Sequence, residues 1–187
     1  LALEHFSFSV DLFMETADVL VKLERFDEAI ELMYHALMYQ PNDPELLMLK
    51  GSIHAMTSDY HEAIACYKIA VDSVEDKDEV YYSIGIAYQG LEQYKDASDY
   101  YKLAIEHNIL NENALYELAY CLDIMGELES SLTYYQQFID QDPYSEYAWY
   151  NLGIVYNKLK DYEKSIDAYE YAIAIEEDFS SAYFNMG

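Results

Sequence analysis

The sequence is poor in the residues that build many-stranded or disulfide-stapled proteins. Of 187 residues, six are Gly, three are Pro and two are Cys. So few turn residues exclude a chain of many short strands. Cys66 and Cys121 lie far apart, in no metal or redox spacing. They are expected as core thiols in a reducing compartment, which favours the cytoplasm. Bases are scarce: 10 Lys and Arg stand against 36 Asp and Glu, for a formal charge of −26. A nucleic-acid backbone would be repelled by that surface, and so would an anionic membrane. No apolar run reaches the ~20 residues of a membrane-spanning helix.

The acids are spread evenly. Residues 1–93 hold 18 acids and 5 bases, and residues 94–187 hold the same numbers. There is no acidic tail or basic arm, and the partners such a field attracts are basic proteins and peptides. The chain is also 52% hydrophobic and contains 22 Tyr. That composition separates it from disordered acidic chains, which are poor in aromatics.

One period orders the sequence. Gly51, Gly85, Gly153 and Gly187 are 34, 68 and 34 residues apart, and Ala17 and Ala119 fill the gaps. A second series runs Ala29, Ala63, Ala97, Ser131 and Ser165, and a third runs Ala36, Ala70, Ala104, Phe138 and Ala172. Aromatics keep the same step at Phe26, Tyr60, Tyr94 and Tyr162, and at Tyr67, Tyr101, Tyr135 and Tyr169. Within residues 146–179 the apolar positions recur at spacings of three and four, break once, and resume, which predicts two amphipathic helices per unit. Small residues let two helix axes approach, and the aromatics fill the space beside them. Lys160-Asp161, Glu24-Arg25 and Gly126-Glu127 mark breaks between helices, and Pro41 and Pro143 fall where a helix should stop.

A 34-residue helix–turn–helix period resembles the tetratricopeptide repeat family. The best match is Trp149-Tyr150-Asn151-Leu152-Gly153-Ile154-Val155-Tyr156, followed by Asp161-Tyr162 and Ala168-Tyr169. The resemblance implies an all-α, right-handed solenoid forming a single domain over 1–187. Its five complete repeats are expected at 10–43, 44–77, 78–111, 112–145 and 146–179. Residues 1–9 would close a preceding repeat and 180–187 would open a further one. A solenoid needs polar caps at its ends. Neither end reads as a cap, so the chain is expected to be a fragment of a longer array, with end-to-end self-association open to such a fragment. Phe138 replaces a small residue and should push its helix pair apart or repack it. Glu75, Ile109 and Glu177 stand where the family often has Pro, so those turns are expected to continue helically.

By the same resemblance, the first helix of each repeat lines a concave groove. Its fifth places hold Met14, Met48, Tyr82, Tyr116 and Tyr150, and Tyr120 is a ninth place. Second places hold Glu45 and Glu79; sixth places hold Glu15, Glu117 and Asn151. These eleven residues are the candidate peptide-binding site: an apolar, aromatic floor with acids along it. Apolar stripes rimmed by polar groups mark interaction sites. Relatives that hold a C-terminal carboxylate use Lys, Arg and Asn across three repeats. The corresponding places here, such as Met14, Asp18, Leu49, Glu79 and Ser83, supply no base in any window. No acidic C-terminal chaperone tail is therefore expected as a ligand.

The expected function is a protein–protein interaction scaffold that takes a neutral-to-basic apolar peptide or helix. The alternative is a structural or regulatory spacer of a larger protein, its groove filled by a neighbouring segment of its own chain. The stretch Leu103–Asn157 holds nine acids and no Lys or Arg. Most of these acids read as a solvated face that keeps a Tyr-rich surface soluble, with Glu117 the exception by phase.

No enzyme, cofactor or metal is expected. His61-Glu62-Ala63-Ile64-Ala65 opens like a zinc-protease helix but lacks the second His. His54 is expected as a packing residue. There is no Gly-rich phosphate loop and no nucleophile elbow.

Overall fold

The computed structural model describes residues 9–186. Among these residues there are helices and short connections and no strand. The helices are α1 (Val10–Lys22), α2 (Phe26–Tyr39), α3 (Pro44–Met56), α4 (Tyr60–Ala70), α5 (Asp78–Gly90), α6 (Tyr94–His107), α7 (Glu112–Ile124), α8 (Leu128–Gln141), α9 (Glu146–Lys158), α10 (Tyr162–Ile175) and α11 (Ser180–Met186). The odd-numbered helices begin 34 residues apart, so the fold is an α-solenoid of helix–turn–helix repeats. The residues Leu1–His5 and Gly187, read above as parts of flanking repeats, lie outside the described residues.

Local chemistry sets the helix ends. Ser9, Asp43, Asn111 and Ser145 cap α1, α3, α7 and α9 by accepting a backbone N–H three residues on. Pro44 sits just inside α3, where a missing N–H costs nothing. Inside each repeat the turn places one residue in the left-handed region: Glu24, Ser58, Glu92, Gly126 and Lys160, at φ between 57° and 78°. In four of these turns the next backbone N–H reaches back into the finished helix, as Glu127 does to the Leu122 carbonyl at 2.9 Å and Asp161 to Tyr156 at 2.9 Å. This is a Schellman-type stop. Only Gly126 occupies the position without a side-chain penalty.

The turns at Ile109 and Glu177 do not continue helically. Asn108 and Glu176 are extended, at φ −143° and −125°, and end α6 and α10. Capping of the following α7 by Asn111 fixes the connector at four residues. Glu75 is not helical either. There α4 stops at Ala70, and the connector to α5 runs over residues 71–77. Other connectors between repeats have four residues, and α5 has no side-chain cap.

The described residues gather into two compact units, one ending at Leu91 and one beginning at Glu92. In the first unit, Ala17, Ala29, Met33, Ala36, Leu46 and Ile53 form a continuous buried cluster. The ring of Tyr67 covers Gly51 so closely that a β-carbon there would lie 2.4 Å from its Cε1.

In the second unit the core joins Leu115, Ala119, Tyr135, Phe138, Leu152, Val155 and Ala168. Ser131 donates its hydroxyl to the Ala119 carbonyl, and Ser165 to that of Gly153, both at 2.8 Å. These bonds explain why Ser can replace Ala in that periodic series: the buried hydroxyl is satisfied. Phe138 is buried in the same core, and Tyr116 packs edge-on against it at 5.4 Å.

Candidate functional site

Helical phase places the candidate residues on one face of the first helices, and the two units are best described separately. In the first unit, Met14, Met48 and Tyr82 are half-buried, while Glu15, Glu45 and Glu79 are exposed. Met14, Glu45 and Met48 come together in a concavity of about 680 Å³. Leu49, Ser52 and Ser83 also line it, as do Val74, Glu75 and Asp76 from the long connector. Glu15, Glu79 and Tyr82 do not line that concavity. The connector acids escaped the sequence reading because they belong to no first-helix place. The run Val74-Glu75-Asp76-Lys77-Asp78-Glu79 was their only signal.

In the second unit, Tyr116, Glu117, Tyr120, Tyr150 and Asn151 are half-buried. The amide of Asn151 donates to the Tyr116 hydroxyl at 2.8 Å, and Asn185 repeats the bond one period later to Tyr150 at 3.1 Å. Tyr116 and Glu117 line a concavity of about 260 Å³ with Asn113, Phe138, Ser145 and Tyr147. Tyr120, Tyr150 and Asn151 stand outside it. Tyr150 packs against Phe179 and Tyr169. Tyr116 and Tyr150 therefore pack their rings against the core while remaining half-buried.

The electrostatics are one-signed. Burial pushes the Tyr116 hydroxyl up to about 12, with Glu117 adding to the shift and the Asn151 bond opposing it. Burial also raises Tyr120. Of the first-helix bases Lys22, Lys50 and Lys158, two are tied to acids: Lys22 to Asp18 at 2.5 Å and Lys158 to Asp123 at 2.7 Å. Both cysteines are buried and their thiols are held protonated, Cys121 with its pKa raised to about 12. Neither has the lowered pKa of a nucleophile.

His54 is buried, with Nδ1 3.1 Å from an Asp59 carboxylate oxygen, and His61 is exposed near the start of α4. Among the described residues no cluster of three His, Cys, Asp or Glu side chains could hold a metal ion. Among the same residues no helix is long and apolar enough to cross a membrane.

A tetratricopeptide repeat family model matches residues 146–179, and a second matches 14–78 and 82–146. Among solved structures, YrrB, described as a TPR protein with an unusual peptide-binding site, superposes with a TM-score of 0.82 at 24% identity, over 98% of this chain and 95% of that one. MamA superposes at 0.82 with 25% identity, over 88% and 96% of the two chains. MamA residues 41 to the end from Desulfovibrio magneticus RS-1 give 0.83 at 19% identity, over 92% and 99%. No curated protein matches the sequence. The two family models together span most of the chain, and it belongs to the tetratricopeptide repeat family.

Proposed function

We propose that the chain is a protein-interaction scaffold whose first helices receive a neutral-to-basic, apolar segment of another protein. One observation carries this reading. Half-buried Met14, Met48, Tyr82, Tyr116 and Tyr150 recur at the same place of successive first helices, beside exposed or half-buried acids. These side chains also pack against the core, as Tyr116 does on Phe138, and the part left half-exposed is what a ligand can meet. Tyr offers broad rigid area with a polar tip, which suits recognition of a peptide. Lys22 and Lys158 are paired with Asp18 and Asp123, and acids outnumber bases along the first helices, so the charge left over is negative. That favours Lys and Arg on the ligand and opposes an acidic tail. Peptide binding by YrrB, a protein of similar fold, is consistent with this reading.

The test uses two synthetic peptides with the same leucines and tyrosines, one spaced by Lys and the other by Glu. The Lys peptide should bind and weaken as salt rises, because exposed ion pairs are screened. The Glu peptide should not bind. Reversal of charge at Glu79 and Glu117 to Lys should invert the preference. Equal binding of both peptides would overturn the proposal.

A further inference from the structure

The early end of α4 has a functional consequence. The second helices α2, α6, α8 and α10 all run to the thirtieth place of their repeat, whereas α4 stops three residues short. The freed residues lengthen the connector, and Glu75 and Asp76 then line the concavity whose floor holds Met14, Met48 and Leu49. Glu45, exposed on the first turn of α3, is the third carboxylate there. None of these three acids has an ion-pair partner among the described residues. Lys77 follows Asp76 in the chain but does not line the pocket.

We infer that this pocket is a dedicated seat for a lysine or arginine of the partner segment, its aliphatic stem on the methionines and its cationic head among Glu45, Glu75 and Asp76. The inference rests on the groove-binding reading above and names the side chain that fixes the register of the segment. Several features fit that occupant. A volume of about 680 Å³ is in the range of built ligand sites and holds a long side chain with its flanking residues. Methionine is an adaptable surface for an alkyl stem. Lys and Arg bury their stems while keeping the charge at a polar rim. An anionic occupant would be repelled by the three carboxylates, and a fully apolar one would gain nothing from them. In the second unit, the concavity at Tyr116 has Glu117 as its sole acid and lacks a counterpart of this rim.

The experiment labels the methionine methyl groups of the full chain with 13C and follows them by NMR. The probes are acetyl-Leu-Lys-Leu-amide, its norleucine counterpart, which keeps the stem without the charge, and its glutamate counterpart. The lysine probe should shift the Met14 and Met48 methyls saturably, and should bind about fivefold more tightly than the norleucine probe, the scale of an exposed ion pair. The glutamate probe should leave both methyls unmoved.

Glu45→Gln with Glu75→Gln and Asp76→Asn, three exposed positions that should not disturb folding, should erase the preference for lysine over norleucine. A preference that survives this triple change would assign it to the general negative field and overturn the seat. Equal binding of lysine and norleucine probes would also overturn it, as would silent Met14 and Met48 methyls. Success of the longer Lys peptide in the previous test alongside failure here would remove the pocket and leave the groove reading standing.

Discussion

The ring of Tyr169 lies against Gly153 so closely that a β-carbon on the glycine would sit 2.5 Å from Cε1. The two residues are on paired helices, α9 and α10, and Ser165 anchors the same pair by its bond to the Gly153 carbonyl. Gly153→Ala therefore forces a fully packed ring to move. Overpacking costs about 1–3 kcal/mol, against about 1 kcal/mol gained in helix propensity. Urea unfolding should show a net loss of stability, with the Tyr169 hydroxyl displaced from its neighbours. A variant as stable as the parent would mean that the ring has room to swing away.

Gly126 isolates a different cost. Its φ is +78°, and nothing lies within 4 Å of where a β-carbon would be. Gly126→Ala should lose about 1 kcal/mol through backbone conformation alone. Lys160→Gly, at the same turn position with φ 63°, should gain less than that, because glycine gives up more freedom on folding. Matched thermal melts of the two variants check the signs.

Tyr135 is buried, and among the described residues no group meets its hydroxyl in hydrogen-bonding geometry. An unsatisfied buried hydroxyl is a standing cost of about 1–3 kcal/mol. Tyr135→Phe keeps the ring in the buried core and removes that cost, so its melting temperature should equal or exceed that of the parent. A marked fall would show that the hydroxyl is satisfied in solution.

Alkali should unfold the chain through its tyrosines. Burial raises Tyr67 and Tyr116 to about 12, from an ordinary value of 10. Between those values the unfolded chain has released these protons and the native chain still holds them. Stability is therefore complete below pH 10 and declines as pH rises from 10 toward 12. The phenolate absorbance of these residues should appear together with the loss of helical circular dichroism. Ionisation of every tyrosine before any loss of helix would contradict this.

The architecture was largely legible in the sequence because stacking repeats one demand every 34 residues. A small residue must face a large ring, so Gly51 with Tyr67 and Gly153 with Tyr169 announce themselves. The connectors at Glu75, Ile109 and Glu177 are not helical although none of them has proline there, so the lack of proline does not by itself extend a helix. Asn108 and Glu176 leave the helical region without it, and the caps that open the next helix carry the boundary. At the site, phase alone put Met14, Met48 and Tyr116 on the first-helix face. It could not reveal that Asn151 donates to the hydroxyl of Tyr116, since that bond joins side chains one period and one residue apart. Nor could it bring in Glu75 and Asp76, which enter only because α4 ends early.

The shortened α4 also separates two kinds of inheritance. Its buried residues Ala63, Tyr67 and Ala70 hold the repeat together, and all lie before the helix ends. Glu75 and Asp76 lie beyond it, exposed and carrying none of that packing. Mutation can rewrite the charge at the rim of the concavity without disturbing the residues that stack the array. The charge of that rim is therefore set independently of the packing that holds the repeats together.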